Sequence, residues 1–305
     1  MRAAIAPFNP LETVTPTQLL IPNPVRLKEK LTRFVADGAL NVQLVADYDQ
    51  TLTRYSYNGS RVSTSYGALE DTMSEEQSHA CQELRKYYHP LEIDMSITYD
   101  QKYHLMEEWH QRSNEAICNP PFSISHLRDA VRTGHLLLRY GADDLLAYLH
   151  QHAIKMYIVS AGIGNVITYS LEGFPGFSSV EVYSNVVEFD ANEMSTGFKM
   201  PIIHSLSKPR ALASKHLKKN VILIGDMPHD LAMASHHDQD HVLSIGYYND
   251  ETKFDLANYT SRFDIVVKND GNLKLVEYLF SLICSEPEQG EEVASLKPIV
   301  DCLAS

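Results

Sequence analysis

The chain has 305 residues, 44% of them apolar, enough for one large or two modest domains around a substantial core. Its formal net charge of −13 argues against a protein that grips nucleic acid or an anionic membrane through clustered Lys and Arg, but is compatible with a single nucleotide held beside a metal ion. Cys81, Cys118, Cys284 and Cys302 are widely spaced and form no CxxC pair, which points to free thiols and not to a zinc site or a disulfide framework. MRAAIAPFNP lacks the continuous apolar core of a signal peptide, and no run of about eighteen apolar residues occurs, so a soluble cytoplasmic protein is expected.

Residues 1–22 contain four prolines and read as an arm. Pro24 to Ala36 reads as a helix with Val25, Leu27, Leu31 and Phe34 as its apolar positions, and leads into a strand over Val42 to Tyr48. In LVADYDQTLT, Leu44 to Thr53, that strand ends in two carboxylates two residues apart. Alternate side chains of an extended chain point the same way, so Asp47 and Asp49 should leave the strand end on one side.

From Arg54 to about Tyr140 the β-branched runs disappear, and Ser74 to Tyr88, Thr98 to Ile117 and Ser123 to Thr133 read as helices. Ser74 with Gln77 forms a capping-box pattern. This stretch, 54–140, reads as a helical cap inserted over the active site, although an ordinary helical subdomain has the same periodicity. Beyond it, strand and helix alternate as in a parallel sheet with crossover helices. The strands expected are Lys155 to Ser160, Val180 to Phe189 continuing as a hairpin towards Phe198, Val221 to Ile224, His241 to Ile245 and Asp264 to Val267. The helices expected are Asp143 to His152, Gly164 to Leu171, Lys208 to Lys218, a start at Asp230 to Ser235, and Leu273 to Cys284. The fold class is therefore α/β: a Rossmann-like core over 23–53 and 141–284, a helical cap inserted after the first catalytic strand, and a loose tail over 285–305 with its EPEQGEE run.

Ligands of open α/β sheets bind beyond the carboxyl ends of the strands. There, a carboxylate can take a phosphoryl group while a second carboxyl protonates the leaving oxygen and then activates water. Asp47 suits the first role and Asp49 the second, and the charge they share with a phosphate dianion calls for a hard cation such as Mg²⁺. Ser160, Ala161 and Gly162 at the next strand end offer a hydroxyl and amides for phosphate, or a simple turn capped by Ser160. VILIGD ends in Asp226, a candidate metal ligand, with Asp230 one turn on as a partner for the water such an ion keeps, or as an acid in the first turn of its own helix. Lys208 is the cation chosen to neutralise the transferring group, with Lys199, Arg210 and Lys215 as rivals.

In order, Asp47/Asp49, Ser160, Lys208 and Asp226/Asp230 resemble the four motifs of the haloacid dehalogenase-like hydrolases. DYDQTLTRYSYNGSR, the EID of 92–94, EEWHQRS, IVSAGIGNVI, NVILIGDMPHDLAMA and IGYYND resemble more narrowly the cytosolic pyrimidine 5′-nucleotidase family, type III, from about Val42 to Val267. The resemblance implies an Mg²⁺-dependent hydrolase of nucleoside 5′-monophosphates. It makes Asp47 the nucleophile and Asp49 the proton donor. It assigns Mg²⁺ to Asp47, the backbone carbonyl of Asp49 and Asp226, and phosphate to Ser160, Ala161 and Lys208. Glu92 and Ser113 fall at the family's nucleoside-binding positions, where a carboxylate can accept from an exocyclic amine. Trp109, with Tyr55 or Tyr103, could supply an aromatic face for the base, or be a core residue of the insert.

Three departures bear on this: His110 stands where family members differ with their base, SLSKPRAL is only loosely like the family's lysine segment, and DMPHD has Met227 where a serine is common. The expected activity is hydrolysis of CMP or UMP through an aspartyl phosphate, with a nucleoside monophosphate as substrate and neither a nucleic acid polymer nor a membrane as partner. The alternatives are 7-methylguanosine monophosphate, another small phosphoester such as phosphoserine, or, in a different class, a non-catalytic nucleotide-binding protein.

Overall fold

In this computed structural model, residues 19–94 and 96–285 are described. The remainder of the expected arm and tail lies outside them. In chain order the elements are β1 (Leu19–Leu20), α1 (Pro24–Asp37), β2 (Val42–Ala46), β3 (Ser56–Tyr57), β4 (Ser60–Arg61), α2 (Ser65–Glu70), α3 (Glu75–Ile93), α4 (Tyr99–Ile117) and α5 (Ile124–Thr133). They continue with α6 (Ala142–Gln151), β5 (Met156–Ile163), α7 (Gly164–Leu171), β6 (Val180–Asn185), β7 (Val187–Phe189), β8 (Ser195–Phe198), α8 (Lys208–Ala211), β9 (Asn220–Gly225), β10 (Val242–Tyr248), α9 (Leu256–Thr260), β11 (Ile265–Lys268) and α10 (Lys274–Cys284).

The main sheet runs β1-β11-β10-β9-β2-β5-β6. All its neighbours are parallel except β1, the last residues of the expected arm, which pairs antiparallel with β11. Every residue of β2 is buried, because helices cover both faces of the sheet. Val42, Leu44 and Ala46 face one cluster with Leu31, Phe34 and Phe280, whereas Val45 faces a second with Val159, Val221 and Leu223. Each Val, Leu or Phe among them contributes about 1.5–3 kcal/mol on burial. Helix α1 is built to fill its place: Asn23 accepts from the Arg26 amide at 3.0 Å, Pro24 suits the first turn, and Leu27, Leu31 and Phe34 form the buried stripe.

Strand order reverses at β2, with β5 and β6 on one side and β9 to β11 on the other. The carboxyl ends of β2, β5 and β9 therefore converge, and the expected site residues follow or sit on those ends. The segment between β2 and α6 carries helices α2 to α5. Its apolar residues Leu69, Ile117, Phe122 and Leu127 share one cluster with Ile163 and Val166 of the sheet side. Leu52, Thr53 and Arg54 lie against Leu137, Leu138 and Arg139 through an isolated antiparallel bridge and the bonds Arg54 N–H to Leu137 O, 2.9 Å, and Arg139 N–H to Leu52 O, 2.7 Å.

Three local expectations are corrected. The helix expected over 208–218 is the single turn Lys208–Ala211: Pro209 suits a first turn, but Gln43 Oε1 accepts the Lys218 amide at 2.6 Å and draws the chain out towards β9. The helix expected at Asp230 is a 3₁₀ segment, Pro228–Ala234. Strand β5 does not stop at Ser160 but runs to Ile163, so Ser160 is not the cap of α7. No helix among the described residues is long and apolar enough to cross a membrane.

Candidate active site

Asp47 leaves β2 still on the ladder, its amide donating to Ile224 O at 3.0 Å, and is 4% exposed. The chain then turns sharply: Thr51, Leu52 and Thr53 amides all reach Tyr48 O, at 3.2, 2.9 and 3.1 Å, and Gln50 takes a left-handed φ of 63°. The turn separates the two carboxylates. Asp47 Oδ1 accepts from Lys208 Nζ at 2.6 Å, while Asp49 accepts the Ser65 amide on Oδ1 and the Ser65 hydroxyl on Oδ2, both at 2.6 Å. Both still line one cavity.

Lys208 bridges Asp47 to Asp230, whose Oδ1 it reaches at 2.7 Å, and Asp230 Oδ2 accepts the Met227 amide at 3.0 Å. Asp230 thus serves both its own turn and the site. Burial works against the charge of Lys208, but Asp230 and Asp47 raise its pKa above the ordinary lysine value. Burial likewise opposes ionisation of Asp230, and Lys208 and His229 reverse it to hold that carboxyl below the usual range. Of the rival cations, Arg210 donates to Tyr103 Oη at 2.6 Å, Lys215 sits near Glu181 at 3.6 Å, and Lys199 is exposed.

Carboxylate oxygens of Asp47, Asp226 and Asp230 lie within 4.8 Å of one another. Burial pushes Asp47 up to about 7 despite Lys208, and Asp226 is raised well above the usual range, first by burial and then by Asp230 and Asp47. Three acids share one lysine, so a hard cation fits this set, with oxygen ligands of the kind Mg²⁺ takes. The Asp49 carboxylate, turned to Ser65, is outside the set.

Within the carboxyl half of β5, Ser160 is buried and its hydroxyl accepts the Gly162 amide at 3.0 Å. Glycine is required at 162, because a Cβ there would stand 2.1 Å from Ser65 Oγ and 2.8 Å from Asp49 Oδ2. Asn185, at the end of β6, donates to the carbonyls of Ala161 and Ile203, both at 2.7 Å, and accepts the Ile203 amide at 2.7 Å. It ties the Ser160 turn to the segment that leads to Lys208.

A cavity of about 280 Å³ runs from Asp47, Asp49, Ser160, Ala161, Lys208 and Asp226 to Glu92, Trp109, His110 and Ser113 of the insert. Asp230 lies behind this lining. Trp109 is both wall and packing: it faces the cavity and stacks on Tyr88 at 6.0 Å and 11°. Tyr55 also lines the cavity, but Tyr103 does not, being turned edge-on to His204 at 4.5 Å. Sequence reasoning missed Ser65, Tyr66 and Asn185. Their signal was absent, since they meet the site only through tertiary contacts, Tyr66 as part of the cavity wall, held by donating to Asn114 Oδ1 at 2.7 Å.

The same architecture occurs in solved structures. An enzyme titled had family hydrolase, from Salmonella enterica, is 18% identical with a TM-score of 0.51 over 81% of this chain and 73% of its own, a likeness of fold alone. The chain has the fold of the haloacid dehalogenase-like hydrolases. A crystal structure titled cytosolic 5′-nucleotidase IIIB bound to cytidine is similar with a TM-score of 0.76 and 26% identity, over 87% of this chain and 93% of that one. A 7-methylguanosine phosphate-specific 5′-nucleotidase of Gallus gallus is 30% identical over 87% of this chain and 96% of its own length. The family model described as Pyrimidine 5′-nucleotidase (UMPH-1) matches residues 50–284, and the chain belongs to that family. It is a 5′-nucleotidase, which sets aside the non-catalytic reading.

Proposed function

We propose that the chain hydrolyses the pyrimidine monophosphates CMP and UMP, with Asp47 as nucleophile. The observation that carries this is the single cavity joining the Asp47/Lys208 end to Glu92, Trp109 and Ser113, with room for a phosphate at one end and a base at the other. Asp47 attacks phosphorus in line as the P–O5′ bond breaks, and Asp49 gives its proton to O5′. Asp49, now a carboxylate, takes a proton from water, which attacks phosphorus and returns Asp47. Lys208 holds charge beside Asp47, while Ser160 and the Ala161 amide bind phosphoryl oxygens. Asp47, Asp226 and the Asp49 carbonyl would hold Mg²⁺, with Asp230 behind them; the ion supplies charge neutralisation at the phosphoryl group. Glu92 accepts from the exocyclic amine of CMP or the ring N3–H of UMP, Ser113 adds a hydroxyl, and Trp109 gives the base an apolar face. Helices α2 to α5 act as the cap.

The names of relatives such as the Gallus gallus enzyme favour a second reading, 7-methylguanosine monophosphate, with the same chemistry. Phosphate release from CMP, UMP, AMP, GMP, 7-methylguanosine monophosphate and phosphoserine, each with Mg²⁺ and with EDTA, tests both. Metal-dependent preference for CMP and UMP supports the proposal. Preference for the methylated purine moves the specificity, and metal-independent turnover overturns the cation assignment.

A further inference from the structure

Among the described residues, the Asp49 carboxylate is held by hydrogen bonds from one residue, Ser65, which belongs to the insert. Ser65, 0% exposed at the start of α2, gives its amide to Oδ1 and its hydroxyl to Oδ2, both at 2.6 Å. The hydroxyl itself accepts the Ile163 amide at 3.2 Å, from the last residue of β5. With one lone pair taken by that amide, the hydroxyl proton is left directed at Asp49. Two donors on the two oxygens fix the plane of the carboxyl, and Gly162 keeps open the space in which they meet.

We propose that Ser65 is a positioning residue for the proton transfers of Asp49, so that the insert orients the acid that the core carries. The inference rests on the assignment of Asp49 as proton donor. In the first step a bond forms between an Asp47 carboxylate oxygen and phosphorus as the P–O5′ bond breaks, the Asp49 proton moves to O5′, and the new Asp49 carboxylate is left facing both Ser65 donors. Donors preorganised on the charged product of a transfer favour the transfer. Losing the hydroxyl should therefore slow reactions in proportion to how much their leaving group needs a proton.

The test is Ser65→Ala, which keeps the amide, measured in a single turnover on CMP, phenyl phosphate and 4-nitrophenyl phosphate, with urea unfolding as a control on folding. The expected result is a loss of about 10- to 100-fold in nucleoside release from CMP, a smaller loss with phenyl phosphate and less than about threefold with 4-nitrophenyl phosphate, at unchanged KM. Ser65→Cys keeps the volume with a weak donor and should fall between, which covers the case in which Ser65→Ala does not fold. Equal losses on all substrates, or no loss, would overturn the proposal in favour of a packing role. If the wild type leaves every nucleotide untouched, the nucleotidase reading fails, and the two aryl phosphates still decide the role of Ser65.

Discussion

The guanidinium of Arg139 donates to the carbonyl of Gln50 at 2.6 Å, and Gln50 is the residue after Asp49. Asn249 Nδ2 donates to the same carbonyl at 2.9 Å, which pins the left-handed Gln50. Arg139 is 1% exposed and also reaches Thr51 O, Gly271 O and Asp270 at 2.8, 2.5 and 2.8 Å. Lysine cannot span these acceptors, because an ammonium is a point donor where the guanidinium is a fork. Arg139→Lys is expected to lose about 2–4 kcal/mol in urea unfolding and to slow turnover. An unchanged unfolding midpoint would refute this.

Removing a buried negative charge should stabilise the metal-free protein. Asp226 stands among acids, with burial, Asp230 and Asp47 all disfavouring its ionised form. Asp226→Asn is expected to raise stability in EDTA by about 1 kcal/mol or more and to abolish Mg²⁺-dependent turnover. Asp47→Asn should also abolish turnover with the fold intact. Thermal melts with EDTA and with Mg²⁺, beside phosphate release, check both.

A pH dependence follows from His204, which is 1% exposed, edge-on to Tyr103, and has no partner for either ring nitrogen among the described residues. Burial, then Arg210, depresses it to about 4. The unfolded chain then binds a proton near pH 6.5 that the folded chain refuses, so stability is full above that pH and is lost as pH falls towards 4. Between pH 7.5 and 5 the loss from this residue is about 2 kcal/mol. His204→Asn should lose correspondingly less over the same interval in urea titrations; equal slopes would remove the residue from the account.

Trp109→Ala should weaken binding more than chemistry. A stacking face is worth about 1–3 kcal/mol per base, so KM for the preferred nucleotide is expected to rise about tenfold with kcat within about threefold. Glu92→Gln should shift the ranking between bases with and without an exocyclic amine. Steady-state kinetics over the nucleotide panel reads both.

The strand ends that line the cavity were legible because apolar runs announce a parallel sheet and the carboxylates follow those runs immediately, as at Asp47 and Asp226. The strand read over Val42 to Tyr48 is present as Val42–Ala46, every residue of it buried. What the sequence withheld was reach. Ser65 meets Asp49 across sixteen positions and Asn185 meets Ile203 across eighteen, and no periodicity encodes a hydrogen bond made by a loop. The 208–218 helix was over-read for the same reason, since Gln43 from another strand captures the Lys218 amide.

The insert departs at Thr53 and returns at Leu138, and those two residues are paired. To the sheet, the whole excursion is equivalent to a tight connection, because its ends are already together before any of it is ordered. The entropy of closing a loop grows only slowly with its length, so lengthening or exchanging the excursion between these ends costs the core little. Such a junction lets the half of the cavity lined by Glu92 and Trp109 change while the half lined by Asp47 and Asp226 is kept, with the Ser65 donors to Asp49 as a tie between the two.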